Sequence, residues 1–250
     1  MRSFFGHCAD NSSGIGLETC ILFAREGAAV LMADISEPAL AKGIAKVREN
    51  VPSAAKLDTV KCDVTKEPDI AAAVGHLDQW GGVDIMFNNA GIMHGEDADA
   101  IDTPERIWDL TQAINVKGVW YGSKHAVLSM RKHGKKKGSV INTASIVAVI
   151  GSATPQLAYT ASKGAVLAMT RELAVVHAKE GFRFNALCPA PLKYVIDNFP
   201  WRSCFLTVSL VPLCCKTGSE MMLRRERGVR YTSQLADLVR PSNKLMLYYF

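Results

Sequence analysis

Between residues 14 and 187 the chain alternates short apolar runs with longer stretches in which apolar residues recur every three or four positions. The runs 28–33, 57–62, 83–87, 139–143 and 182–187 are apolar along most of their length, as strands covered on both faces should be. Helical patterns lie between them at about 15–25, 37–49, 67–80, 104–132 and 157–180. This alternation predicts βαβ units and an α/β fold, a doubly wound parallel sheet that is Rossmann-like and three-layered. Thr103 and Pro104 read as an N-cap followed by a first-turn proline. At the start, residues 1–8 offer only Phe4 and Phe5 as apolar strand material, so a shortened first strand with unpaired neighbours is expected. From Tyr194 the period is lost. With no internal repeat or low-complexity linker, the expectation is one domain over residues 1–193 and an atypical C-terminal segment over 194–250.

Composition places the chain among ordinary globular proteins: 250 residues, 48% hydrophobic and 21% charged. The longest apolar run, 205–215, is too short to span a membrane and contains Pro212, and residues 1–16 do not read as a secretory signal, so a cytoplasmic protein without a membrane partner is expected. Seven cysteines without CxxC or metal-ligand spacing suggest reduced thiols and no metal. The formal charge of +5 is concentrated in residues 194–250, with 8 basic and 4 acidic residues, so it gives no reason to expect nucleic-acid binding by the main body. The cluster Arg131, Lys132, His133, Lys135, Lys136 and Lys137 has no interleaved aromatics and reads as a solvated loop.

Ser12, Ser13, Gly14, Ile15, Gly16 and Leu17 stand at the entry of the first helix, where glycines and free N–H groups suit a pyrophosphate. An ordinary turn would look the same. Asp34 ends the run 30–33; its carboxylate could accept from ribose hydroxyls and repel a 2′-phosphate, favouring NAD over NADP, or it could cap a strand-to-helix loop. Asp63 and Val64 end the next strand and are a further candidate nucleotide contact, or ordinary loop residues.

Tyr159 and Lys163 lie four apart on a helical segment, on one face, so the ammonium can stand beside the phenol and pull its pKa towards the working pH. Fourteen residues upstream, Ser145 ends a buried strand, where open α/β sheets bind ligands and a hydroxyl can donate to a developing alkoxide.

Taken with Asn88, Asn89, Ala90 and Gly91 after a strand, and Asn115 within Ile114–Gly118, these motifs over residues 12–193 resemble the short-chain dehydrogenase/reductase family. The resemblance implies a proton donor/acceptor in Tyr159, a pKa modulator and ribose ligand in Lys163, a carbonyl-orienting hydroxyl in Ser145, and a proton-relay member in Asn115. It implies dinucleotide contacts at Gly14, Ile15, Gly16, Asp34, Asp63, Val64, Asn89, Ala90 and Gly91, with Pro189 flanking the nicotinamide. The expected reaction is hydride transfer between NAD(H) and a hydrophobic secondary alcohol or ketone, in hydroxysteroid-like or secondary metabolism, by a homo-oligomer, dimer or tetramer.

The chain departs from the family at both ends. Ala9 and Asp10 stand where the family's turn has Thr and Gly, and an aspartate there would bring negative charge to the pyrophosphate. Ala190 replaces a glycine, and no family pattern follows Tyr194. Such abrupt losses point to altered splicing or an imperfect gene model. They leave a second reading open, a non-catalytic Rossmann-type protein that dimerises through the helices carrying Asn115 and Tyr159.

Overall fold

The computed structural model describes residues 2–7, 14–54 and 56–190. Ala9, Asp10, Ser12 and Ser13 of the phosphate turn, and the whole segment from Tyr194, lie outside the described residues. Six strands, β1 (Ser3–His7), β2 (Ala29–Asp34), β3 (Leu57–Lys61), β4 (Ile85–Asn88), β5 (Gly138–Thr143) and β6 (Phe182–Leu187), form one parallel sheet in the order β3-β2-β1-β4-β5-β6. Helices α1 (Ile15–Arg25), α2 (Glu37–Asn50), α3 (Glu67–His76), α4 (Glu105–Gln112), α5 (Gly118–Lys132) and α6 (Leu157–Val176) connect them. The doubly wound, Rossmann-like α/β architecture is therefore present. The order turns at the β1–β4 boundary, and the ends of β1 and β4 are where such sheets bind ligands.

Residues of β2, β4 and β5 are buried at every position, as strands covered on both faces are, the polar Asp34, Asn88, Ser139, Asn142 and Thr143 included. Strand β3 is different. It is an edge strand among those described, with Leu57–Val60 half-buried and Lys61 exposed.

The first strand, expected to be shortened with its neighbours unpaired, is a paired five-residue strand. Ser3–His7 pairs in parallel with β2 on one side and β4 on the other, so it is central. Two phenylalanines suffice because successive side chains point to opposite faces. Phe4 joins the core under α1 and α2, stacking on Phe23 at 4.2 Å, while Phe5 joins the core on the other face with Ile70, Met86 and Phe184. Buried Ser3 is satisfied rather than tolerated: its amide donates to Asp84 Oδ2 at 2.9 Å, and the Asp84 amide donates back to Ser3 Oγ at 3.1 Å.

Other expectations change. The pattern at 104–132 is three elements, because a π-helical turn at Ala113–Lys117 separates α4 from α5. Thr103 is not the cap of α4; Pro104 itself occupies the N-cap with extended ψ 140°, and the Thr103 hydroxyl turns back to donate to the Asp99 carbonyl at 2.7 Å. The basic cluster is largely paired: Arg131 holds Glu180 through two nitrogens at 2.7 and 2.8 Å, Lys132 and His133 share Asp78, and Lys135 reaches Asp84 at 2.7 Å. Cys62 and Cys188 are free and buried, whereas Cys20 is disulfide-bonded, which corrects the expectation of reduced thiols throughout. No described helix is long and apolar enough to cross a membrane.

If β1 is the central strand, Phe4→Ala removes a fully buried ring from under α1 and should cost about 3–5 kcal/mol of unfolding free energy. Urea denaturation measures it, and a loss below about 1 kcal/mol would place Phe4 outside the core.

Candidate active site

The site is assembled where β4, β5 and β6 end. A cavity of about 450 Å³ opens there, with Ile15 of α1 and Asn89, Gly91, Ser145, Tyr159, Lys163 and Pro189 among its lining residues. Seven of the sequence-nominated residues are thus brought to one space, from five separate stretches of chain.

Each is held for a local reason. Ser145 leaves β5 in an extended conformation and begins a short 3-10 turn, its hydroxyl accepting from Val147 N at 3.4 Å. The following Ile146 amide donates to the Pro189 carbonyl at 3.0 Å, which ties the ends of β5 and β6 together. Lys163 is 4% exposed, and its ammonium donates to the Thr143 carbonyl at 2.8 Å, at the last residue of β5. That ammonium stands 5.5 Å from the centroid of the Tyr159 ring, one turn earlier on α6.

The expected fall in the Tyr159 pKa is not what the chain's own groups produce. Burial pushes the phenol above its ordinary value, and the hydrogen bond with Ser145 pulls it only partly back. The ammonium of Lys163 itself donates to the Thr143 carbonyl. Cys188, buried beside this group, is pushed up to about 11 by burial, so it supplies no thiolate near neutral pH.

Asn115 does not line the cavity. It is fully buried in the π turn, where its amide brackets Ile92: Oδ1 accepts from Ile92 N and Nδ2 donates to Ile92 O, both at 2.8 Å. Nδ2 also donates to Ser162 Oγ at 2.9 Å. A π turn re-aims one side chain at the expense of helical regularity, and here it brings this asparagine to α6 and the segment after β4 together.

The residues proposed from sequence as dinucleotide contacts divide. Gly14 opens α1 with φ 93°, in the left-handed region, and Gly16 is buried in the first turn. Asp34 closes β2 at 9% exposure, its Oδ1 accepting from Ser36 N at 2.6 Å; burial raises its pKa, and hydrogen bonds from Ser36 and Ile35 oppose that. Asp63 is committed locally: Oδ1 accepts from Thr65 N at 3.0 Å and Thr65 Oγ1 at 2.7 Å, and although burial pushes its pKa up, these bonds and Lys66 hold the carboxyl below its usual value. Val64 and Ala90 border a separate small cleft with Asn88, Gly118 and Val119. Asn89 accepts from the Thr143 hydroxyl at 3.0 Å.

Sequence reasoning missed Asp97. Its two carboxylate oxygens accept from Ala158 N and Tyr159 N at 2.9 and 2.8 Å, at the start of α6. The available signal was negative: no Ser, Thr, Asp or Asn stands at the N-cap, Gln156, so the acceptor had to come from elsewhere.

Residues 9–200 match a family model described as Enoyl-(Acyl carrier protein) reductase. The chain is 37% identical over 179 residues to (+)-borneol dehydrogenase 2 of Salvia officinalis, covering 71% of this chain and 61% of that protein. It is 34% identical over 204 residues to the 3-oxoacyl-(acyl-carrier-protein) reductase FabG of Thermotoga maritima, covering 81% and 80%. An actinorhodin polyketide ketoreductase solved with NADPH shares the fold at a TM-score of 0.69 and 27% identity, covering 77% of this chain and 71% of that one. The chain spans less than two thirds, 61–66%, of the length of several curated relatives that it matches.

The raised pKa of Asp34 has a consequence for stability. A carboxyl whose folded pKa lies above its unfolded value favours the folded state when protonated, so it makes the protein less stable as pH rises from below the unfolded value, 3.8, through the folded one. Asp34→Asn keeps an oxygen for Ser36 N and removes that loss. The variant should therefore melt a few degrees higher at neutral pH, with the difference vanishing below the unfolded pKa. Calorimetric melts across pH read this, and a lower melting temperature at pH 7 would contradict it.

Proposed function

The chain belongs to the short-chain dehydrogenase/reductase family, and from that premise we propose that the cavity is the active site of an NAD(P)-dependent oxidoreductase interconverting a hydrophobic secondary alcohol and ketone. The observation that carries this reading is the convergence of Ser145, Tyr159 and Lys163 on one wall of a cavity whose volume suits a small molecule.

In this proposal Tyr159 is the general acid/base. Its phenol gives a proton to the carbonyl oxygen during reduction and takes it back during oxidation. Ser145 donates to the same oxygen and holds it against the phenol as negative charge develops. Lys163, fixed by the Thr143 carbonyl, keeps positive charge beside the ring and is a ribose ligand. Asn115 holds the Ile92 segment and is a member of the proton relay. The nicotinamide, when bound, supplies or takes up the hydride.

The residues fit a dinucleotide. A Cβ added at Gly91 would lie 3.2 Å from both Lys163 Nζ and Asn115 Oδ1, a tight contact, so the glycine keeps this part of the cavity lining free of a side chain. Gly14, Ile15 and Gly16 would hold the diphosphate, Asp34 the adenosine ribose, Asp63, Val64 and Ala90 the base side, and Asn89, Gly91 and Pro189 the nicotinamide side. The domain proposed to do this is residues 1–193, with 194–250 as a separate segment.

The remaining lining favours a neutral, largely apolar substrate: Ile92, Met93, Ile146 and Val147 are apolar, while Ser152, Thr154 and Gln156 are polar without charge. Buried Asp34 supports a preference for NAD(H), since a 2′-phosphate beside it would be repelled. The NADPH-bound ketoreductase shows the other choice on a similar fold. Exposed Trp108 and Leu110 on α4, with Trp120 and Leu128 on α5, support a homo-oligomer, whose mass light scattering reads.

Cofactor fluorescence on titration with NADH and NADPH is the primary test, with NADH expected to bind more tightly; the reverse order overturns the preference. Tyr159→Phe should lower kcat by about two orders of magnitude or more while leaving NADH affinity almost unchanged. Retention of more than about a tenth of the rate rules out the assigned role, and absence of binding by the unmodified chain leaves the non-catalytic reading.

A further inference from the structure

Helix α6 begins without a cap of its own. The first amides of a helix have no partner within it, and Gln156 at the N-cap offers no side-chain acceptor. Residues 97 and 98, which follow β4 and lie some sixty positions earlier, supply what is missing. The Leu157 amide donates to the Ala98 carbonyl at 2.9 Å, and the amides of Ala158 and Tyr159 donate to Asp97 Oδ1 and Oδ2. Only Thr160 is served locally, by the Gln156 carbonyl at 2.9 Å.

We infer that Asp97 is a positioning residue for Tyr159: its carboxylate fixes where the first turn of α6 lies, and so where the phenol stands in the cavity. The inference rests on Tyr159 being the proton donor proposed above. A carboxylate suits the task because both of its oxygens accept and because negative charge is favoured at a helix N-terminus. At 9% exposure, competition from water for the two amides is small.

The carbonyl of Tyr159 is held from the same quarter. Ser162 Oγ donates to it at 2.7 Å, and Asn115, which donates to Ser162 Oγ, also brackets Ile92. Both polar main-chain atoms of Tyr159 therefore lead to one segment, residues 92–97, directly through Asp97 and indirectly through Ser162 and Asn115. That segment also contributes Ile92 and Met93 to the cavity wall. The wall and the proton donor are thus mechanically joined, and a displacement of one carries the other. A placement error of an ångström at a reacting group can cost two orders of magnitude in rate.

A cap that served stability alone would give a different experimental signature. Asp97→Ala removes both acceptors; Asp97→Asn keeps one oxygen and turns an NH2 group towards the other amide. In each variant, hydrogen exchange of the peptide 157–163 is compared with that of 166–174 in the same helix, alongside NADH affinity, the melting temperature and steady-state kinetics. The expected result is a loss of protection confined to 157–163, a kcat at least about tenfold lower for Asp97→Ala, and NADH affinity within about twofold. Asp97→Asn should fall between that variant and the unmodified chain. Unchanged protection overturns the proposal, and so does lost protection with full kcat, which would make the cap structural only. If Asp97→Ala does not fold, Asp97→Asn decides alone, and an unaltered kcat in it overturns the proposal. An unmodified chain that binds NADH but turns nothing over removes the reading of Tyr159, and the positioning role with it. Turnover by the unmodified chain and by both variants alike removes the role of Asp97 only.

Discussion

A lysine ammonium in the interior must be satisfied, and the way Lys163 is satisfied sets the geometry around it. At 4% exposure it cannot rely on water, and burial of an unpaired charge would cost several kcal/mol or displace its proton. The Thr143 carbonyl accepts from it at 2.8 Å at the end of β5, where the register with β6 stops at the Thr143–Leu187 pair. That bond ties the second turn of α6 to the end of β5. Ser145 two residues on and Tyr159 four residues back then line the cavity together, within hydrogen-bonding reach of each other. Gly91 lines it as well, where an added Cβ would press on the same ammonium.

The sheet explains why these residues can meet at all. In a parallel sheet every strand ends on the same edge, and the turn in strand order at β1 and β4 opens a crevice that no crossover fills. The segments after β4, β5 and β6 converge on it and are cross-tied by main-chain bonds, Ile146 to Pro189 and Leu157 to Ala98. The cavity lining is consequently mostly loop and helix start, with Thr143 at the end of β5 as its strand residue.

Much of this was legible in the sequence, and what was not has identifiable causes. The strand 182–187 and helix 15–25 coincide with their predicted limits because apolar burial and period agree there. Tyr159, Lys163 and Ser145 were found because four-residue spacing and a strand end are local facts. Strand β1 was underestimated since two phenylalanines look meagre until each is assigned to an opposite face of the sheet. The π turn at Ala113–Lys117 leaves the apolar pattern of 104–132 almost continuous, so it reads as one helix. The direction of the Tyr159 shift depends on how much water the phenol loses on burial, which is not written in a spacing. Asp97 was invisible for a further reason: its partners lie 61 and 62 residues away.

These distant contacts share a purpose. Apolar packing holds α6 against the sheet but is non-directional, and on its own it would tolerate a small rotation or slide. Polar contacts at intervals along the helix remove that freedom: Asp97 at Tyr159, Asn115 at Ser162, the Thr143 carbonyl at Lys163, and Asn142, whose amide donates to Thr170 Oγ1 at 3.0 Å. The last belongs to a chain running through the core, in which Asn88 donates to Asn142 Oδ1 at 2.8 Å and so connects β4, β5 and α6 beneath the cavity. Replacing such residues with hydrophobic ones of similar volume could preserve stability, because each bond contributes little net free energy. It would leave the helix free to shift by a fraction of an ångström, which the proton transfer proposed for Tyr159 would not allow. If Tyr159 has that role, the polar groups are better explained by the precision it requires than by the stability of the fold.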